Sequence, residues 1–163
     1  MKIYDVNLNK NEMTRPGEKR KELKKIVVCD TKIKNIDEML KKIKEIEKQD
    51  EEYFSYNYVV SSLGKIYLLV PDNEISYFSK KIKVNLESIS IGVLLENKGK
   101  KIYNENWKNS LIRLLNVLCQ KYNLKSNDIV IEYDMYNTRN FDFLIDNYMI
   151  FEDIKKESLK NLW

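Results

Sequence analysis

Residues 85–96 read NLESISIGVLLE, and within them the segment 88–95 is an almost unbroken run of β-branched and aliphatic residues. Asn97, Lys98 and Gly99 close the run. A short apolar run that ends in turn residues is typical of a strand buried on both faces. We therefore expect this stretch to form the central strand of a sheet, around which the other elements can be arranged.

Strands and helices alternate along the rest of the sequence. Short apolar runs predict further strands at 2–6, 25–30, 54–60, 65–70 and 128–133, the third and fourth forming a hairpin. Apolar residues at helical spacing predict helices at 36–48, capped by Asn35, and at 104–122 and 152–162. The segment 72–83 is irregular and is expected to be a loop. The predicted fold class is α/β, a single domain over 1–163 with a central mixed sheet flanked by helices and a surface arm at 1–24.

Composition excludes several classes of protein. The 163 residues carry 29 basic and 25 acidic side chains, so the net charge of +4 does not come from a polycationic tail. No apolar run approaches the ~18 residues that a membrane span needs, and the N-terminus lacks the apolar segment of a secretory signal. The two cysteines, Cys29 and Cys119, are far apart, which favours buried thiols over a disulfide. We expect a cytoplasmic protein without a membrane span.

Four strings, in this order and spacing, carry a family resemblance. They are RPGEKRKELKKIVV at 15–28, SYNYVVSSLGKIYLLVP at 55–71, ESISIGVLLEN at 87–97 and LCQKYNLKSNDIVIEYD at 118–134. Together they resemble the zinc-dependent N-acetylmuramoyl-L-alanine amidases of the type-2 amidase and peptidoglycan-recognition superfamily, clostridial and phage endolysins in particular. The resemblance implies a fold that cleaves the amide between the muramyl lactyl group and L-alanine, with zinc activating a water and a carboxylate moving protons.

The resemblance also assigns positions to the zinc ligands and the catalytic acid. Cys29 takes the place of the first zinc histidine and Glu132 that of the second, while Asp142 matches the third ligand. Leu94 takes the place of the catalytic glutamate, and an apolar side chain cannot relay a proton. Two carboxylates and a thiolate would over-neutralise zinc, and the chain has no histidine. We therefore expect no cofactor and a catalytically inactive amidase-like protein.

A binding role is expected for what remains of the cleft. Aromatic faces can stack on a sugar or a peptide, and an amide can hydrogen bond to either, although aromatic side chains also serve as core. The resemblance also places Asn57 at a cleft position where members of the family carry another histidine. The residues expected to line the vestigial cleft are Cys29, Tyr56, Tyr77, Phe78, Asn85, Leu94, Glu132 and Asp142.

Three other functions remain open from the sequence. The partner could be a protein, such as a host factor inhibited by a phage or mobile-element product, instead of a peptidoglycan fragment. An active amidase with an atypical Cys29, Glu132 and Asp142 metal site is the enzyme alternative. Nucleic-acid binding would use two basic clusters, although Glu18 and Glu22 interrupt the first. These clusters comprise Arg15, Lys19, Arg20, Lys21, Lys24 and Lys25, and Lys80, Lys81 and Lys83.

Overall fold

The segment Ser88–Leu94 is the central strand of a six-stranded sheet in the computed structural model, which describes residues 1–49, 52–97, 100–101, 105–131 and 148–160. The strands are β1 (Ile3–Asp5), β2 (Lys25–Thr31), β3 (Tyr58–Ser61), β4 (Ile66–Leu68), β5 (Ser88–Leu94), β6 (Glu96–Asn97), β7 (Lys100–Lys101) and β8 (Ile129–Ile131). The helices are α1 (Ile36–Glu47), α2 (Ile82–Glu87), α3 (Glu105–Tyr122) and α4 (Tyr148–Leu159).

The sheet is mixed and follows the order β1-β4-β3-β5-β2-β8. The central strand β5 runs parallel to both of its neighbours, with Gly92 opposite Cys29 on β2 and Val59 on β3. The predicted hairpin is present, because β3 and β4 pair in antiparallel fashion. Strands β6 and β7 form a separate two-stranded ribbon. The predicted α/β class, a single domain with a mixed sheet flanked by helices, is confirmed.

Each face of the sheet is covered by helices. Successive side chains of a strand point to opposite faces, so Ile91 and Val93 of β5 join the apolar cluster that contains Trp107 and Phe151, from α3 and α4. Leu94 joins a second cluster with residues of α1. All seven residues of β5 are buried, as expected for a strand covered on both sides. None of the described helices is both long and apolar enough to cross a membrane.

Helix α1 agrees with its sequence pattern to within one residue. The Asn35 side chain accepts a hydrogen bond of 2.9 Å from the backbone N–H of Glu38, which satisfies one of the amides that the first turn leaves without a partner. Met39, Ile43 and Ile46 are buried against the sheet. This helix covers the part of the sheet that contains Cys29 and Leu94, the positions at which the resemblance places a zinc ligand and the catalytic glutamate.

Several boundaries differ from the predictions, and the predicted strand 54–60 begins only at Tyr58. The predicted loop 72–83 ends at Lys81, because α2 covers Ile82–Glu87, and the central strand begins at Ser88, where the predicted apolar run begins. The predicted strand 128–133 is preceded by a 3-10 turn at Ser126–Asp128, and its positions 132 and 133 lie outside the described residues. The final helix begins at Tyr148, four residues before the predicted start.

The N-terminal segment, expected to be a surface arm, is attached to the sheet and to α1. Strand β1 adds to the sheet edge by parallel pairing with β4. Leu8, Met13 and Thr14 are buried, and the Thr14 hydroxyl donates a hydrogen bond of 3.0 Å to Glu47 at the end of α1. The segment therefore contributes to the interior instead of lying only on the surface.

Candidate binding site

Cys29, Tyr56 and Leu94, which the resemblance places along a cleft, lie in one apolar cluster with residues of α1, and this cluster is called the floor below. Cys29 and Leu94 are completely buried and Tyr56 is 4% exposed, all within one cluster. Gly92 makes room for the ring, because a Cβ at this position would lie 3.3 Å from Tyr56 and 3.1 Å from the Thr31 methyl. These three side chains therefore do not reach the surface where a ligand would bind.

The described residues do not form a zinc site. Of the three possible ligands, Cys29 packs among apolar side chains, whereas Glu132 and Asp142 lie outside the described residues. Across the described ranges, no three cysteine, aspartate or glutamate side chains come close enough to hold a metal ion. Zinc needs several N, S or O ligands around it, and no such set is found among the described residues.

A buried polar network centred on Asn57 lies next to this floor. Its amide donates to the backbone carbonyls of Val70, Pro71 and Glu74, at 3.2, 3.0 and 3.1 Å. Its carbonyl oxygen accepts from the Ser76 hydroxyl at 3.0 Å and from the Ser90 N–H at 3.1 Å. Asn57 thus ties β3 and β5 to the loop that follows β4.

That loop, residues 71–81, is called the rim loop below, and hydrogen bonds hold it at several further points. The Ser55 N–H donates to the Tyr77 carbonyl at 2.9 Å, and the Tyr77 N–H donates to the Ser55 hydroxyl at 2.8 Å. The Asn85 amide bonds both the N–H and the carbonyl of Ser79, at 3.0 and 2.9 Å. Asn85 was expected to offer its amide to a ligand, but it is 1% exposed and holds the loop instead.

Asp72 anchors the outer end of the rim loop. It accepts hydrogen bonds from the Tyr58 hydroxyl, from the Tyr122 hydroxyl at 2.8 Å and from the Lys121 ammonium at 3.1 Å. Burial alone would raise the pKa of Asp72, but these three donors stabilise the carboxylate and the net effect lowers it. Burial, and then the bond to Asp72, raise the pKa of Tyr58. The carboxylate therefore stays ionised at neutral pH while connecting β3 to the end of α3.

Aromatic rings run from the closed floor to the surface beside the rim loop. Phe54 packs edge-on against Tyr56 with ring centres 5.4 Å apart, and the Lys42 ammonium lies 4.4 Å above the Phe54 ring. Tyr53 is 62% exposed and lies 5.0 Å from the half-buried Tyr77, measured between ring centres. Tyr53, Phe54, Tyr77 and Phe78 are called the aromatic rim below. Of these, the sequence analysis missed Tyr53 and Phe54, although the string YFSY at 53–56 was a visible signal.

Comparison with known proteins identifies the family. Residues 19–142 match the family model described as N-acetylmuramoyl-L-alanine amidase. The chain belongs to this amidase family. The match spans the strands and loops that build the floor and the rim, so the resemblance in the four strings is confirmed at the level of family.

Solved structures of other proteins share the whole fold. LysC, an N-acetylmuramoyl-L-alanine amidase from Clostridium intestinale, is 25% identical with a TM-score of 0.70, and the match covers 98% of each chain. PlyL is 14% identical with a TM-score of 0.75, over 96% of this chain and 97% of that one. The Staphylococcus aureus hydrolase AmiA, solved with its ligand, is 14% identical with a TM-score of 0.74, over 99% and 85%. No curated protein sequence matches the chain.

The two arginines of the predicted nucleic-acid patch are used inside this amidase fold. The Arg15 guanidinium binds Glu74 of the rim loop through two hydrogen bonds, of 3.0 and 2.9 Å, and both side chains are largely buried. This pairing lowers the pKa of Glu74. Arg20 donates to the backbone carbonyls of Asp72 and Glu74. Both arginines therefore support the rim loop, and only lysines of that first cluster are left for a nucleic acid.

Proposed function

We propose that the chain is a catalytically inactive member of the amidase family that binds muropeptide at its aromatic rim. The observation that carries the proposal is the exposed Tyr53 ring, which lies 5.0 Å from the Tyr77 ring at an interplanar angle of 57°, at the edge of the cleft positions predicted from the family. Aromatic rings offer apolar faces on which sugar rings or peptide side chains can pack. Tyr77 lies on the rim loop, and Ser55, two residues after Tyr53, is hydrogen bonded to the Tyr77 backbone, so little ordering would accompany binding.

The chemistry of the floor supports the inactive half of the proposal. Proton transfer in the family reaction needs a carboxylate, and Leu94 stands at the position that the resemblance gives to it. The sequence contains no histidine to take the place of the two zinc histidines. Without these groups the ordinary route to an activated water is missing from the chain.

The charge of the rim suits a ligand that carries carboxylates. Lys42 is exposed and lies directly above Phe54, within the aromatic rim. The stem peptide of a muropeptide carries carboxylate groups, which an adjacent ammonium would attract. The rings would supply packing and Lys42 would supply orientation.

Retention on purified, insoluble peptidoglycan tests the binding half. We expect the protein to be retained and the double variant Tyr53→Ala/Tyr77→Ala to lose about tenfold or more in affinity, since buried aromatic contacts carry much of the energy in such sites. Leu63→Ala is the matched control, because Leu63 is also an exposed apolar side chain, 71% accessible, but lies in the hairpin turn. Equal retention of the double variant and the control would contradict a site at the rim.

A second experiment tests inactivity separately. The protein is purified in zinc, its metal content is measured, and release of muramyl-linked peptide from peptidoglycan is followed over time. We expect neither stoichiometric metal nor peptide release. Zinc-dependent release would refute the inactive half and support the alternative metal site, while leaving the result on retention intact.

A further inference from the structure

A small pocket at the β1 end of the sheet collects positive charge. It has a volume of about 180 Å³ and lies between the start of β1, the turn before β4 and the first half of α3. Lys2, Lys65 and Arg113 line it, together with Tyr4, Gly64 and Ser110. The cluster lies in a part of the fold away from the aromatic rim, because β4 and β3 separate β1 from β5 in the sheet.

The fold brings two of these cations together through strand register. Ile3 of β1 pairs with Ile66 of β4 in a parallel arrangement. Lys2 and Lys65 precede these two residues and therefore lie side by side at the starts of adjacent strands. Like charges at neighbouring positions of a sheet are destabilising. This pair of lysines therefore lowers the stability of the sheet edge, and strand formation does not require lysine at either position.

A close contact between α3 and the hairpin turn positions the third cation, Arg113. Gly64 has φ +85°, and a Cβ there would lie 2.8 Å from the carbonyl oxygen of Asn106. The Ser110 hydroxyl donates a hydrogen bond of 2.5 Å to the Gly64 carbonyl. Arg113 follows Ser110 by three residues and so shares its side of the helix. The turn and the helix thus fix the place of Arg113 beside the two lysines.

No carboxylate among the described residues compensates this charge. The pocket lining contains no acidic residue, and within the described part of the chain Lys2, Lys65 and Arg113 form no ion pair. The Tyr4 ring lies 4.6 Å from the Lys2 ammonium and 5.7 Å from that of Lys65. A ring face is worth only about 0.5–1 kcal/mol to an exposed cation and leaves its full charge in place.

We propose that this pocket binds a phosphate group. A phosphate carries nearly two negative charges at neutral pH and accepts several hydrogen bonds, which matches two ammonium groups and a forked guanidinium. Side chains supply the donors, because the N–H groups of Gly64 and Lys65 already bond the carbonyl and the hydroxyl of Ser61. The volume is well below the ~300–1,000 Å³ of a drug-sized site, so the ligand is inorganic phosphate or a small phosphomonoester.

The test is a titration of the whole protein, observed through its backbone amide signals by NMR. Inorganic phosphate and glycerol 3-phosphate are added separately, with chloride keeping the ionic strength constant. We expect saturable shifts at Gly64, Lys65 and Ser110, and an affinity about tenfold or more lower in Lys65→Gln/Arg113→Gln, since charged hydrogen bonds are lost. Lys41→Gln/Lys44→Gln removes the same charge from exposed positions of α1 and should leave the affinity unchanged.

The outcomes separate the sources and the alternatives. Equal affinity for both ligands supports a phosphate site, and tighter binding of glycerol 3-phosphate supports a phosphomonoester site. Chemical shifts that do not saturate overturn the proposal. So does a phosphate affinity that falls as much in the Lys41→Gln/Lys44→Gln control as in Lys65→Gln/Arg113→Gln. Without phosphate, Lys65→Gln should keep or raise the melting temperature because repulsion is relieved. A lower melting temperature with unchanged phosphate affinity would mean that Lys65 serves only to pack on Tyr4.

Discussion

At the ends of β2 and β5, Cys29 and Leu94 pack among apolar side chains, whereas the adjacent rim loop makes hydrogen bonds at Asp72, Glu74, Ser76, Tyr77 and Ser79. The floor has the composition of an ordinary core, and its order comes from packing. The rim loop buries Ile75 and packs Phe78 against the floor, but it is also held by hydrogen bonds from side chains of β3, α2 and the N-terminal segment. The floor and its edge are therefore held by different forces, apolar packing in the floor and hydrogen bonds in the rim loop.

The largest effect is expected from a carboxylate in the floor. Leu94→Glu would place an ionisable group at a completely buried position with no cation among the residues of its cluster, and should cost about 3–5 kcal/mol of unfolding free energy. Chemical denaturation at pH 7 measures it. Leu94→Met, which nearly conserves volume, should cost under about 1.5 kcal/mol. If the two variants were equally stable, the floor would be hydrated and its contrast with the rim loop would disappear.

Replacement of Asn57, the centre of the buried polar network that holds the rim loop, should have the next largest effect on stability. Asn57→Leu leaves the carbonyls of Val70, Pro71 and Glu74 without their donor, and each buried unsatisfied group costs about 1–3 kcal/mol. We expect a loss of about 3 kcal/mol in denaturant unfolding, together with shifted amide signals along 71–81. Ser76→Ala removes a single hydroxyl from the same network and should cost about 1 kcal/mol. If Ser76→Ala lowered the unfolding free energy as much as Asn57→Leu does, the network would not be centred on Asn57.

The anchor at Asp72 makes the rim loop sensitive to acid, unlike the floor. Its pKa is lowered in the folded state, so the stability that it contributes is present above the ordinary carboxyl value of 3.8 and is lost as the pH falls through the folded-state pKa. Asp72→Asn should cost about 1–2 kcal/mol at pH 7 and flatten the decline of stability as the pH falls below the ordinary carboxyl value. Asp153→Asn, at an exposed position of α4, should leave the pH dependence unchanged. Parallel pH curves for Asp72→Asn and the natural protein would contradict the anchor.

The smallest effect on stability is expected at the exposed ring of the rim. Tyr53→Ala removes a side chain that is 62% accessible, so the unfolding free energy should change by no more than about 0.5 kcal/mol. Retention on peptidoglycan should nevertheless fall if Tyr53 packs on the ligand. A stability loss above about 1.5 kcal/mol would instead assign the ring to the core and remove it from the proposed site.

Local patterns in the sequence were sufficient for the elements that obey a simple period. The apolar spacing after Asn35 predicted α1, and the unbroken run before Asn97 predicted β5, because packing on one or both faces imposes those periods. Helix α2 escaped prediction, since it is six residues long and buries only Val84 and Asn85. So short a helix has no period to detect.

Prediction of the site failed where distant residues meet. The resemblance placed Cys29, Tyr56 and Leu94 along a cleft, but it could not show that all three are buried in one apolar cluster. Arg15 resembled a surface cation because its partner, Glu74, is far along the chain. Asn85 likewise resembled a ligand group, since nothing in the sequence indicates that its amide bonds Ser79. Long-range polar pairing has no signature in a single sequence.

The parallel pairing of β5 with β2 and β3 also governs how the chain can fold. Ile26 meets Ile89 and Val59 meets Gly92, so the centre of the sheet joins segments separated by whole helices and loops. Contacts between distant segments require closure of long loops before they gain any stability, which slows folding. During synthesis, β2 and β3 leave the ribosome before the strand that must lie between them. Val27 and Val59, which share an apolar cluster with Leu94 in the folded protein, therefore lack that contact until β5 has been made.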